Sequence, residues 1–166
     1  MYRRTFDFLQ AWTEESQATA KVLDVLSDAA LGQKVSENGR TLGKLAWHLV
    51  ETLPEMLPSA GLKLDFEIDA KMVPQSARVI AETYRRGAKA LGEAVEAQWS
   101  DGDLETETNM YGHQWARGLT LHVLLIHQAH HRGQMTVLVR QAGLAVPGVC
   151  GPSWEEWSAM GMEPQD

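Results

Sequence analysis

Residues 118–142 read GLTLHVLLIHQAHHRGQMTVLVRQA and carry the strongest helical pattern of the chain. Apolar side chains recur in it at three- and four-residue steps, a spacing typical of one face of an α-helix. Gly143 follows as a natural helix stop, and Pro147 bars any continuation. We therefore predict the longest helix of the chain here, from about Gly118 to Ala142.

This helix contains four of the six histidines of the chain. At about 100° per residue, His127 and His131 lie one turn apart on the apolar arc, so both point into the protein. Two imidazoles at this spacing can clip one divalent metal with nitrogens ~2.0–2.1 Å from it. His130 projects to the other side of His127 and is a weaker candidate, and His122 projects towards the surface.

The rest of the chain predicts three further long helices with little strand signal, hence an all-α four-helix bundle. The second helix has Thr41 as its N-cap, and Pro54 and Pro58 bend or end it. The three predicted ranges are Thr5–Leu26, Leu42–Leu53 and Ser76–Gln98.

Two smaller features surround the fourth helix. Residues 99–117 are irregular, and weak alternation before the turn at Tyr111-Gly112 indicates a small hairpin. Residues 153–156 read Ser-Trp-Glu-Glu, a capping box that predicts one short C-terminal helix.

A histidine pair needs a third ligand from another helix, and His48 is the one histidine on another predicted helix. A lone histidine on an apolar face is more often a hydrogen-bonded core residue than a ligand. Three inward-facing imidazoles together favour a metal, because without one several polar nitrogens need buried partners at once. The residues alone leave both interpretations open.

Four neighbours are candidates for supporting these imidazoles: Gln134 and His130 on the fourth helix, and Glu51 and Thr52 one turn after His48. Each has an ordinary alternative as a solvated or helix-packing residue. Arg132 points away from the histidine pair, which favours a salt bridge or a subunit contact. Cys150 lies in a Gly/Pro-rich loop, and we interpret it as incidental.

The composition of the chain argues against several classes of protein function. The 166 residues carry a net charge of −7, which argues against general nucleic-acid binding. One cysteine excludes an intramolecular disulfide framework and a Cys-rich zinc site. The chain shows no signal-peptide apolar region and no membrane span. We expect a soluble cytoplasmic protein with a single domain over residues 1–166.

Two segments carry a resemblance to a known family. Residues 41–49 read TLGKLAWHL, and residues 127–134 read HQAHHRGQ. RQAGL at 140–144 and the tail at 146–153 complete the pattern. The sequence thus resembles the DinB family of metal-binding four-helix proteins over nearly its whole length.

The resemblance implies that His48, His127 and His131 bind one divalent metal, zinc or nickel, with an open coordination position. It also implies an up-up-down-down bundle that is frequently a homodimer. Related enzymes include thiol-dependent S-transferases that use bacillithiol or mycothiol, and a maleylpyruvate isomerase. The implied function is transfer of a low-molecular-weight thiol to a small electrophile. Metal-dependent hydrolysis and a non-catalytic, metal-stabilised dimer are the alternatives.

Overall fold

The computed structural model describes residues 1–70 and 72–163, and its architecture is a helical bundle with one small sheet. The helices are α1 (Thr5–Asp24), α2 (Leu42–Ser59), α3 (Ala77–Gln98), α4 (Arg117–Gln141) and α5 (Trp154–Trp157). A 3₁₀ turn at Asp28–Gly32 follows α1. The predicted all-α class and four long helices are confirmed.

The directions of the helices differ from the order that the resemblance implies. Near the start of both helices, the Tyr2 amide donates to the carbonyl oxygen of Gly118, and further along both helices Arg132 pairs with Glu15. Helices α1 and α4 therefore run in the same direction. Trp12 donates from its indole Nε1 to the carbonyl oxygen of Ala88 at 2.9 Å, and Thr5 bonds Asp101, so α3 runs opposite to α1.

His48 in α2 faces His127 in α4, whereas the first residue of α4, Arg117, donates to the carbonyl oxygen of Ala60 at the end of α2. The second helix therefore runs opposite to α4. The bundle is therefore up-down-down-up, and the up-up-down-down order is wrong. This order requires the connection between α2 and α3, residues 60–76, to return along the length of the bundle. When extended, these residues reach roughly 50 Å, enough to return along a helix of about 27 Å.

The second correction concerns the two prolines of α2. The sequence predicts that the helix bends or ends near Leu53, but it continues through Pro54 and Pro58 to Ser59. Each proline removes one helical hydrogen bond. The additional turn buries Met56 and Leu57 almost completely, and this burial offsets the loss. The Thr41 N-cap is confirmed, because its hydroxyl oxygen accepts from the Lys44 amide at 3.0 Å.

Both predicted small elements are present. Strands β1 (Glu107–Met110) and β2 (His113–Ala116) pair antiparallel, with Met110 opposite His113. Their two-residue turn, Tyr111-Gly112, has φ values of 54° and 87°, as type I′ hairpins require. The Ser153–Glu156 capping box opens α5.

No helix among residues 1–70 and 72–163 is both long enough and apolar enough to cross a membrane. The longest of those helices, α4, has 25 residues, but its histidines and arginines interrupt the apolar side chains. The expected cytoplasmic location stays a prediction.

A glycine in α3 allows the long connection to pack against the bundle. A Cβ atom added at Gly87 would lie 2.7 Å from the Phe66 ring and 2.8 Å from Leu53. We expect Gly87→Ala to lower the free energy of unfolding by about 1–3 kcal/mol through overpacking. Gly92→Ala in the same helix is the control, since its Cβ would make only an ordinary 3.5 Å contact with Trp12. Urea denaturation checks the pair, and equal stability of the two variants would contradict this packing.

Candidate metal centre

Three histidines meet where α2 crosses α4. One ring nitrogen from each of His48, His127 and His131 lies within 4.8 Å of the others. The Nε2 atoms of His48 and His127 are 3.0 Å apart. The three ring centroids are separated by 4.5–5.1 Å, with the planes tilted or edge-on to one another. The structure thus brings together the three histidines that the sequence singles out.

The donor set fits a divalent metal ion. Zinc binds imidazole nitrogens at ~2.0–2.1 Å, which places two nitrogens of a tetrahedral site about 3.3 Å apart. The Nε2 atoms of His48 and His127, 3.0 Å apart, lie close to this value, and the three ligand nitrogens all lie within 4.8 Å of one another.

The ring of His131 is oriented by an amide. Its Nδ1 lies 2.7 Å from Oε1 of Gln134, and the Nε2 amide group of Gln134 lies 3.1 Å from Nε2 of His130. Since an amide oxygen only accepts, we assign the His131 proton to Nδ1, which leaves Nε2 as a lone-pair donor. Gln134 thus contacts both His131 and His130, and its role in supporting a metal ligand stays a prediction.

The ring of His48 faces a carboxylate. Its Nδ1 lies 3.4 Å from Oε2 of Glu51, whose Oε1 accepts from Nζ of Lys44 at 3.0 Å. The Glu51 side chain is only 14% exposed. A carboxylate behind an imidazole is a common partner of metal-binding histidines, because it sets the tautomer and raises the basicity of the other nitrogen.

The protein environment favours the uncharged forms of His127 and His131. Burial, followed by the neighbouring His131 and His48, lowers the pKa of His127 from 6.5 to about 4. Burial also lowers the pKa of His131, although its hydrogen bond to Gln134 acts in the opposite direction. At neutral pH both rings therefore offer free lone pairs, the form that binds metals.

The structure places the remaining candidates away from the three imidazoles. Thr52 is buried, donates to the carbonyl oxygen of Leu49 and accepts from the Gln128 amide, so it connects α2 to α4. His122 packs edge-on against Tyr2, and His113 belongs to the hairpin. Cys150 is an exposed free cysteine 3.9 Å from Arg132.

Gln128, which lies within the histidine motif, has a structural role that the sequence did not predict. Gln128 is fully buried, accepts from the Tyr84 hydroxyl at 3.1 Å and donates to the carbonyl oxygen of Leu49 at 3.1 Å. These bonds hold α2 and α3 against α4 directly beside His127. The available signal is its place in the apolar repeat of α4, where a polar residue must find buried partners.

Comparison with known proteins agrees with this fold. The sequence model of the DinB family matches residues 1–166. The chain belongs to the DinB family. A relative with a curated sequence, the uncharacterized protein YrdA of Bacillus subtilis strain 168, is 40% identical over 163 residues, which cover 98% of each chain.

Two solved structures have the same fold as this DinB protein. A DinB-like protein from Bacillus cereus ATCC 10987 is 46% identical, with a TM-score of 0.86, over 90% of this chain and 99% of that one. A second DinB-like protein, YjoA of Bacillus subtilis, has a TM-score of 0.66 at 17% identity, over 87% of this chain and 99% of that one. The second likeness concerns the fold alone.

Proposed function

We propose that this DinB protein binds one divalent metal, zinc or nickel, through His48, His127 and His131, and transfers a small thiol to an electrophile. The convergence of three ring nitrogens within 4.8 Å is the observation that carries the proposal. Imidazole suits both metals, and three protein ligands leave a position for a reacting molecule.

The proposed chemistry needs an activated thiol. A divalent metal, when bound, supplies a Lewis acid that favours loss of the thiol proton near neutral pH. The sulfur then forms a bond to an electrophilic carbon, the leaving group departs with its electron pair, and the proton goes to solvent. The three imidazole rings would hold the metal, while Glu51 and Gln134 contact two of them and orient these rings.

Partial exposure of the site is consistent with this role. The side chain of His48 is 21% exposed, and His127 is also only partly buried. Small molecules can therefore reach the centre from solvent, as bacillithiol or mycothiol would have to do. The single cysteine lies outside the cluster, so the reacting sulfur would come from a diffusible thiol.

The test combines the metal-loaded protein, a panel of thiols and an activated aryl chloride whose product absorbs visible light. We expect thiol-dependent colour formation that disappears in the metal-free protein. Colour at the metal-free rate with every thiol would overturn the proposed transfer. Hydrolysis of an ester without thiol would instead support a hydrolase, and stabilisation by metal with no turnover would support the non-catalytic alternative.

Replacing Gln134, the hydrogen-bond partner of His131, is expected to weaken metal binding without abolishing it. We expect Gln134→Leu to weaken metal affinity about 10–100-fold, because the His131 ring loses the partner that fixes its tautomer. Competition against a chromogenic chelator measures the change. Gln141→Leu on the exposed end of α4 is the matched control, and equal affinities of the two variants would refute a supporting role for Gln134.

We also propose that the protein is a homodimer that pairs through the outer face of α4. Ile126 and Val137 are 55% and 49% exposed and lie on one side of this helix. Val137→Glu is expected to convert the dimer to a monomer in light scattering, because it places a charge within an apolar contact. Val79→Glu on α3 is the control. A monomeric wild-type protein, or a dimeric Val137→Glu variant, would contradict this pairing.

A further inference from the structure

A small cavity adjoins the metal centre on the side of α4. It measures about 220 Å³ and is lined by Val35, Gly39, Arg40, Leu45, Gln134 and Leu138. Gln134 is the residue whose amide accepts from His131, so the cavity and the candidate metal centre share a wall. The volume lies below the ~300–1,000 Å³ of pockets for drug-sized ligands, and it suits a small molecule or one end of a larger one.

The chemistry of the cavity is divided between apolar walls and one cation. Leu45 and Leu138 are almost completely buried, whereas Val35 is 66% exposed and forms an apolar lip. Arg40 supplies the only charge of the lining. Arg40 lines the cavity together with Gln134, which contacts the ring of His131.

Arg40 is exposed, and unlike Lys44, Glu51 and Glu55 it has no hydrogen-bonding or charged partner of its own in the described part of the chain. Within residues 1–70 and 72–163 it has neither a hydrogen bond nor an ion pair, although the whole chain carries a net charge of −7. Glu51, on the opposite side of His48, already pairs with Lys44. Glu55, one turn further along α2, accepts from the hydroxyl of Tyr111 at 3.0 Å. Among these four side chains, Arg40 is the one whose charge is left available to a negatively charged ligand.

We propose that Arg40 and this cavity bind the carboxylate of the molecule that reacts at the metal centre. A guanidinium recognises a carboxylate through two parallel hydrogen bonds, and the apolar walls accommodate the short carbon chain that follows. Arg40 is thus a residue that sets substrate choice. This inference rests on the proposed function, since it concerns the substrate class of the same site.

The carboxylate can belong to the thiol or to the electrophile, and two arms of one experiment distinguish them. In the first, cobalt-loaded protein is titrated with 3-mercaptopropionate and with 2-mercaptoethanol, and the change in the visible cobalt spectrum gives each Kd. In the second, the KM values for 4-chloro-3-nitrobenzoate and for its amide are compared at a saturating neutral thiol. Each arm uses wild type, Arg40→Gln, Arg40→Lys and, as a control on the outer face of α3, Arg86→Gln.

In one of the two arms, we expect wild type and Arg86→Gln to have a lower Kd or KM for the carboxylate-bearing probe than for the neutral one. We expect Arg40→Gln to reduce this preference, the ratio of the neutral probe's value to that of the carboxylate, roughly tenfold. Arg40→Lys should retain part of it, because it keeps the charge but loses the planar fork. The same preference in wild type and Arg40→Gln in both arms would overturn the inference while leaving thiol transfer intact. No spectral change with either thiol and no turnover would overturn both.

Discussion

Replacing Glu15 by leucine is expected to lower the free energy of unfolding by about 3–5 kcal/mol. The side chain of Arg132 is only 3% exposed, and its guanidinium pairs with the carboxylate of Glu15 and with the Thr19 hydroxyl. Without Glu15 this cation remains buried and uncompensated between α1 and α4. Urea denaturation followed by circular dichroism measures the change.

A second variant separates loss of the ion pair from general damage. Glu15→Leu/Arg132→Met replaces both partners by apolar side chains, and we expect it to recover most of the lost stability. Glu14→Leu, at the adjacent exposed position, should change stability by no more than ~0.5 kcal/mol. A Glu15→Leu variant as stable as wild type, or a double variant as unstable as the single one, would contradict this account.

The second large effect concerns the metal. We expect His127→Ala/His131→Ala to reduce the bound metal from one ion per chain to none, because a single remaining imidazole binds weakly. The loss of metal affinity should exceed the ~10–100-fold loss that follows removal of a residue that only hydrogen-bonds to a metal ligand. Elemental analysis after loading and desalting measures the stoichiometry.

Thermal unfolding offers an independent check of the same claim. A free metal concentration of 100 times the Kd adds about 2.7 kcal/mol to the free energy of unfolding. For a chain of this size, that change raises Tm by roughly 5–10 °C. We expect this increase in wild type and not in His127→Ala/His131→Ala. The matched control His113→Ala/His122→Ala removes two histidines outside the cluster and should retain both the ion and the increase in Tm. Equal metal content in the two double variants would refute the site.

Local signals account for the parts of the structure that the sequence predicts. The four helices follow from apolar periodicity, the starts of α2 and α5 from their caps, and the hairpin from Tyr111-Gly112. The convergence of His48 with His127 and His131 follows because the apolar stripes of α2 and α4 must face a common core.

The remaining features depend on contacts between distant residues. The continuation of α2 past Pro54 depends on what its last turn buries, and the direction of α3 depends on the path of the long connection. The pairing of Arg132 with Glu15 spans 117 positions of sequence, so periodicity could indicate that Arg132 points away from the histidine pair but not which residue it pairs with. Arg40 lines the cavity beside the candidate metal centre from a connecting loop, where no repeat predicts its position.

Diffraction from a crystal of the metal-loaded protein, measured on both sides of the absorption edge of the metal, would locate the ion. We predict one anomalous peak per chain, located ~2.0–2.1 Å from a ring nitrogen of each of His48, His127 and His131. A peak bound by other residues, or a loaded crystal with no peak among these three imidazoles, would contradict this prediction.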